Sequence, residues 1–324
     1  MQIYVVQPGD SVNSIARQYN ITPSGIIYNN QLIPPYTLVV GQALLLSDGS
    51  EQPNQPPLVS NGYAYPFISR WVLEQTLPFL TSLSVFSYGF TAMGDLVPPE
   101  LDDIWMVNAA LVNSEASKTR LFEQLTMVME LKGYTGINID FEYIRAEDRD
   151  LFTDFVADTV NRFRPLGYTV SVALAPKTSA DQPGVLYEGK DYPALGAISD
   201  YVLLMTYEWG YTYGPNMAVA PLNKVRQVVE YAVTEIPPGK IHLGIPNYGY
   251  DWPLPYVRGE TAWSPFFNYV RDGITHEVWF EDVRSIQGKF NLIKEFGLQG
   301  AGYWQLMKWW RANWLLMEDN FQIV

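Results

Sequence analysis

Gly136-Ile137-Asn138-Ile139-Asp140-Phe141-Glu142 alternates apolar and polar side chains with a period of two. In a β-strand such alternation puts Asn138, Asp140 and Glu142 on one face and Ile137, Ile139 and Phe141 on the other. Two carboxylates on an inward face cost roughly several kcal/mol unless they are hydrogen-bonded or share a proton, so a strand with only a packing role rarely carries them. Outward from this stretch, apolar runs of strand character recur at 62–67, 83–90, 104–110, 136–142, 168–175, 200–207, 241–247 and 300–305. Amphipathic stretches separate them, among them Glu115 to Lys132, Ala146 to Phe163, Asn223 to Glu235 and Phe280 to Phe296. Strand and helix alternate as βαβ units require, and eight strands predict an α/β fold of the (β/α)8 TIM barrel type. No Gly-x-Gly-x-x-Gly or P-loop follows any strand, which argues against an open nucleotide-binding sheet. At the C-terminal end of a barrel strand Glu142 reaches the mouth and Asp140 lies one layer deeper, where repulsion between them keeps one proton on the pair.

Composition narrows the chemistry. The 324 residues carry a formal charge of −13 and no run rich in Lys or Arg, which disfavours nucleic acid and anionic membrane as partners. There is no cysteine, so disulfides, thiolate nucleophiles and zinc-thiolate sites are excluded. His242 and His276 stand in no ligand-spaced motif, and neither a metal nor another cofactor is expected. No apolar run is long enough for membrane insertion, and Met1-Gln2-Ile3-Tyr4 lacks the features of a signal peptide. Ten Trp and 22 Tyr supply both core and stacking platforms for sugar rings.

Residues 48–60 combine prolines with polar residues and read as an extended linker, which leaves 61–324 close to the roughly 250 residues of an eightfold barrel. The first 47 residues predict a βααβ unit: a strand at Ile3 to Val6, a helix over Val12 to Tyr19 capped by Ser11, a second helix capped by Thr22 or Ser24, and a closing strand within Leu38 to Leu46. Tyr4-x-Val6-x-Pro8-Gly9-Asp10-Ser11-Val12, with Ile15-Ala16, Tyr19, Asn30-x-Leu32 and Gly41-Gln42, resembles a LysM domain. That resemblance implies binding of N-acetylglucosamine-containing glycan in a groove between Gly9, Asp10, Ser11 and Val12 on one side and Asn30, Leu32, Ile33 and Pro34 on the other. On a flexible tether such a module acts by raising local concentration.

The barrel resembles glycoside hydrolase family 18, whose Asp-x-x-Asp-x-Asp-x-Glu motif ends here in Asp140 and Glu142. Thr135 and Asn138 replace the first two acids, which puts an extended proton relay in doubt. Met205-Thr206-Tyr207-Glu208 is similar to the family's Met-x-Tyr-Asp element with Glu in place of Asp, and Gly302-Tyr303-Trp304 to its Trp floor. The resemblance implies a retaining, substrate-assisted reaction in which the sugar's N-acetyl oxygen attacks the anomeric carbon. Glu142 then protonates the leaving oxygen and later activates water, Asp140 orients the acetamide N–H, and Tyr207 holds its carbonyl. Trp304, Met205, Glu208 and Asn138 are expected substrate contacts, joined by Tyr88, Trp209, Asn247, Tyr248 and Asp251 at or just after strand ends. For these last five, packing competes with binding.

The module, the barrel and the runs 136–143 and 205–210 together most resemble the spore cortex-fragment-lytic N-acetylglucosaminidases of spore-forming bacteria. This implies action on β-1,4-linked N-acetylglucosamine of cortex peptidoglycan, at the spore coat, cortex or cell wall; a monomer is expected. A chitin or chito-oligosaccharide hydrolase and a non-catalytic glycan-binding lectin are the alternatives. About 50 residues separate the last two barrel strands, too few for a large inserted domain, so a shallow cleft is expected.

Overall fold

A computed structural model describes residues 1–47, 54–99, 114–210, 216–253 and 266–324. The N-terminal unit is β1 (Gln2–Val5), α1 (Val12–Tyr19), α2 (Pro23–Asn29) and β2 (Ala43–Leu46), with β1 and β2 antiparallel. Ser11 begins α1 with a capping box through Ser14, and Thr22 accepts from Gly25 N at the start of α2. The predicted βααβ order is present, although the closing strand is confined to 43–46.

The larger unit contains β3 (Pro57–Ala64), α3 (Arg70–Thr76), β4 (Ser82–Val85), the short hairpin β5 (Gly89–Phe90) and β6 (Leu96–Val97), then α4 (Glu115–Lys132) and β7 (Gly136–Ile139). There follow α5 (Arg149–Phe163), β8 (Thr169–Leu174), α6 (Tyr192–Ile198), β9 (Tyr201–Leu204), α7 (Leu222–Glu235) and β10 (Ile241–Pro246). The chain ends with β11 (Tyr250–Pro253), β12 (Phe266–Arg271), β13 (Ile274–Trp279), α8 (Val283–Phe296), β14 (Gly300–Trp304), α9 (Arg311–Asn320) and β15 (Gln322–Ile323). Among the described residues seven parallel strands run β4-β3-β14-β10-β9-β8-β7, a sheet nearly closed as a barrel of the (β/α)8 type. The strand expected over 104–110 lies outside the described residues. In β8, Val170, Val172 and Leu174 are fully buried and belong to the main apolar core beneath the helices.

Two boundaries differ from expectation. The first barrel strand begins at Pro57, inside the segment read as linker, with Leu58 and Ser60 fully buried. Proline is tolerated at the first position of a strand because no ladder donor is needed there, so Pro56-Pro57 hid a strand start. The three C-terminal residues of the 136–142 run lie beyond the ladder, whose register ends at Ile139 opposite Val172.

The N-terminal unit is seated on the barrel rather than hanging from it. Leu44 and Leu46 of β2 enter the module's own core with Val12, Ile15 and Ile26. The intervening Leu45 is fully buried in the barrel core cluster, with Ile3 and Ala43 packed against it. Period-two alternation thus gives this small sheet two apolar faces, one for each unit. Arg311 seals the seam: its guanidinium lies 4.1 Å from the Tyr28 ring centroid, and its backbone N–H donates to Gln31 Oε1 at 2.7 Å.

Candidate active site

Ile139 and Phe141 point toward the helices, Phe141 packing on Phe152 and Phe155 at ring separations of 5.7 and 5.2 Å. That anchoring turns Asn138, Asp140 and Glu142 the other way, to line the cavity with Tyr63, Phe86 and Trp304. Asn138 lies deepest, accepting from the Tyr63 hydroxyl at 3.1 Å and donating to Ser171 Oγ at 2.9 Å. It braces the barrel interior and its amide is engaged by protein on both ends. Asp140 Oδ1 is buried and receives no hydrogen bond from the described residues. Burial raises the Asp140 carboxyl above its ordinary value, and the Lys190 ammonium opposes that rise. Glu142 stands at the open mouth; burial of its carboxyl, then the charges of Asp140 and Glu208, raise its pKa, again against Lys190. A carboxyl shifted in this direction keeps its proton to higher pH than a free one, the direction a general acid requires.

Tyr207 follows β9 with 8% of its surface exposed, and the carboxylates of Asp140, Glu208 and Glu142 all act on its hydroxyl. Burial first, and those charges after it, push the phenol well above its usual range, so it stays a neutral donor. Room for the ring comes from Gly244 on β10, where a Cβ would stand 2.7 Å from Tyr207 Cε1. Glu208 takes a left-handed backbone (φ 64°) and accepts from the Tyr248 hydroxyl at 2.7 Å. For a residue with a Cβ that conformation costs about 1 kcal/mol or more and aims the side chain across the mouth. Met205 donates its N–H to Leu174 O, Trp209 donates to Val219 O, and both side chains pack against the core. Trp304 ends β14 and meets Phe86 edge-on at 4.5 Å, with Tyr63 and Tyr65 each at 6.0 Å, an aromatic floor below the carboxylates.

Other expected contacts have structural partners. Asn247 Nδ2 donates to the carbonyls of Gln305 and Lys308 at 3.0 and 2.9 Å, holding the loop behind Trp304. Asp251 sits in the three-stranded sheet β11-β13-β12, accepting from the Tyr269 hydroxyl at 2.6 Å and lying 2.9 Å from His276 Nδ1. It is absent from the charges that act on Glu142. Tyr88 lines the cavity with its hydroxyl 3.3 Å from that of Tyr134. In the N-terminal unit, Asn30 is clamped to the backbone of Leu45 through both ends of its amide, at 2.7 and 2.9 Å. Asp10 accepts from the Tyr4 hydroxyl and Gln7 N, Ser11 is the helix cap, Val12 is core, and Leu32 packs against that core. Gly9, Ile33 and Pro34 remain exposed, Ile33 at 80%. Of the groove anticipated from sequence, these positions offer side-chain or backbone surface, while the polar ones hold the loops.

Residues 109–308 match the family described as Glycosyl hydrolases family 18, and residues 4–47 match the LysM domain family. The chain belongs to glycosyl hydrolase family 18. It is similar to the cortical fragment-lytic enzyme of Bacillus subtilis (strain 168), at 37% identity with 100% of this chain and 99% of that protein covered. The crystal structure of the Bacillus megaterium QM B1551 spore cortex-lytic enzyme SleL superposes with a TM-score of 0.89 at 31% identity, covering 100% of this chain and 98% of that one. A chitinase from Chromobacterium violaceum ATCC 12472 shares the fold at TM-score 0.72 and 23% identity, over 81% of this chain and 98% of that one. The family 18 barrel is a glycoside hydrolase, and its acids stand at the strand end where this fold places catalysis.

Sequence reasoning missed Tyr63, Phe86 and Lys190. Tyr63 and Phe86 read as ordinary strand residues of 62–67 and 83–90. Lys190 lies in Tyr187-Glu188-Gly189-Lys190-Asp191, which has the composition of a solvated turn, yet it is 1% exposed.

Proposed function

We propose that this family 18 enzyme hydrolyses β-1,4-linked N-acetylglucosamine glycans of spore cortex peptidoglycan or its fragments, as a monomer in the spore or cell-wall layers, with substrate-assisted retention. The observation that carries the reading is the buried Asp140 Oδ1, which receives no hydrogen bond from the described residues, two positions before the mouth-facing Glu142. An acetamide N–H is the donor such an oxygen accepts. Glu142 protonates the leaving glycosidic oxygen while the acetamide carbonyl, held by Tyr207, closes on the anomeric carbon. Asp140 then offsets the positive charge that develops on the oxazolinium, and Glu142 takes a proton from the attacking water. Trp304 carries the apolar face of the sugar. Full-length similarity to the cortical fragment-lytic and cortex-lytic enzymes supports cortex as the polymer. The LysM module, with its outer loops at Gly9 and at Ile33-Pro34, supplies a second contact for the same strand.

The test is mass spectrometry of products from cortex fragments and, in parallel, from chitin oligomers. Glu142→Gln should fold normally and lower kcat/KM by roughly 10²- to 10⁴-fold, the contribution of a general acid. Cortex fragments should be cut after N-acetylglucosamine by the wild type only. Cleavage of chitin alone would make the enzyme a chito-oligosaccharide hydrolase, and binding with no cleavage would make it a lectin.

A further inference from the structure

Lys190 stands on the loop between β8 and α6, and 1% of its surface is exposed. Its Nζ donates to the carbonyl oxygen of Phe141, the residue between Asp140 and Glu142, and lies 4.2 Å from the centroid of the Phe152 ring. The loop is built to deliver it there. Gly189 presses its backbone on the 141–144 segment so closely that a Cβ would run into the Ile144 carbonyl. Behind it, the Tyr192 hydroxyl donates to Ala175 O at 2.5 Å and accepts from Lys177 N at 3.1 Å, while Lys177 Nζ donates to Lys190 O at 3.4 Å.

An ammonium enclosed by one carbonyl and one aromatic face is expensive unless negative charge compensates it, and a Met or Leu would fill the same space without that cost. Burial lowers the pKa of the Lys190 ammonium to about 8, so it is still a cation at neutral pH, and the charges of Asp140 and Glu142 oppose that fall. From the other elements around the pair come Glu208 after β9, which acts on Glu142, and the neutral Tyr63 and Tyr207; Phe152 is what α5 presents to the ammonium. Below Asp140 lies Asn138, which carries no charge and is pinned by Tyr63 and Ser171. Burial drives both carboxyls toward the neutral form, with the charges of Asp140 and Glu208 adding to it at Glu142, and among the described residues Lys190 is the cation that opposes it at each.

We propose that Lys190 is a positioning residue for the hydrolytic reaction: anchored on the Phe141 carbonyl, its charge keeps Asp140 ionised while Glu142 carries the proton. This rests on the roles given to Asp140 and Glu142 above. The resting site then holds one cation, one anion and one neutral acid, and the anion is where the oxazolinium charge develops. Without the cation both carboxyls hold their protons to higher pH, so the acid limb of kcat/KM, set by Asp140, and the basic limb, set by Glu142, both move upward. A mere hydrogen-bonded anchor predicts no movement of either limb.

The experiment is the pH profile of kcat/KM on a short soluble N-acetylglucosaminide for wild type, Lys190→Arg, Lys190→Gln and Lys190→Met, each with a thermal melt as fold control. Gln keeps a donor for the Phe141 carbonyl but no charge, and Arg keeps both. Gln and Met should move the profile upward by about one pH unit or more. They should also lower kcat at neutral pH by roughly 10- to 100-fold, with a smaller change in KM. Arg should keep the wild-type profile. A Gln variant with the wild-type profile overturns the proposal, as does an equal loss in Arg and Gln with both limbs unmoved. A wild-type enzyme that cleaves nothing overturns this reading together with the proposed function, whereas cleavage with an unmoved Gln profile overturns this one alone. If the neutral variants do not fold, the ¹³C-carboxyl resonance of Asp140 in Glu142→Gln decides: it should report a carboxylate at pH 6, and a protonated acid there sinks the idea.

Discussion

Tyr207 is enclosed by protein yet keeps its hydroxyl among three carboxylates, so removing that single oxygen separates packing from chemistry. Tyr207→Phe keeps the packed ring and should change stability by about 1 kcal/mol at most. If the hydroxyl holds the acetamide carbonyl as it closes on the anomeric carbon, kcat should fall roughly 10²- to 10³-fold, as for loss of an oxyanion-type donor. Steady-state kinetics beside a thermal melt gives both numbers, and unchanged turnover would reduce Tyr207 to core. The placement of Asp140, Glu142 and Tyr207 about one cavity was legible because each belongs to a short motif at a strand end, where neighbours in sequence are also neighbours in space. For Asn247, Asp251 and Asn30 the sequence leaves the structural partners unseen for the converse reason. Their polar ends meet Gln305 and Lys308, Tyr269 and His276, and Leu45, partners that no local pattern announces. Lys190 was overlooked because a lysine in a polar loop is normally solvated, and what buries it is the approach of the segments that follow the neighbouring strands β7 and β8.

Among the elements, β10 decides how tightly the mouth is assembled. Its Gly244 faces the Leu204–Tyr207 segment, and Thr206 Oγ1 donates to the Gly244 carbonyl at 2.8 Å, locking the two strand ends together. A methyl at position 244 must displace either the Tyr207 ring or the backbone of the segment that carries it. Gly244→Ala is therefore expected to cost roughly 1–3 kcal/mol through overpacking. It should also lower kcat more than it raises KM, since Tyr207 moves off the position it needs in the transition state. An alanine variant with wild-type melting and kinetics would show that the site tolerates the shift. Helix spans were well anticipated from sequence because their signals are local: Ser11 caps α1, and Gly133 and Gly297 end α4 and α8 in left-handed conformations. Strand limits were not, because a strand stops where its neighbour stops. Asp140 leaves the ladder after Ile139 although the hydrophobic alternation continues, and Pro57 enters it although its composition is that of a linker.

For the whole molecule, the informative surface is the seam between the two units. The composition of 48–60 suggested a tether, a reading that cannot register whether the flanking pieces touch. The missing signal was in β2 itself: Ala43-Leu44-Leu45-Leu46 is apolar at every position, and a strand with one face in a small core and the other in water should alternate. Leu45 supplies the second face and is fully buried against the barrel. Truncating it leaves a cavity at the seam, so Leu45→Ala should cost about 2–5 kcal/mol, the range for buried leucines. Because that side chain belongs to both units, the loss should appear as a lower melting temperature of the barrel itself, followed through the near-ultraviolet signal of its buried tryptophans. Turnover of a short soluble substrate by the folded variant should stay near wild type, since Leu45 touches none of the groups at the mouth. Deletion of residues 1–47 should act in the same direction on stability, exposing the seam face of the barrel, and should in addition weaken binding to insoluble glycan. A barrel that melts unchanged in Leu45→Ala would mean that the module contributes only local concentration, whereas lower melting with intact soluble turnover would make the pair one body that meets its polymer at a fixed spacing.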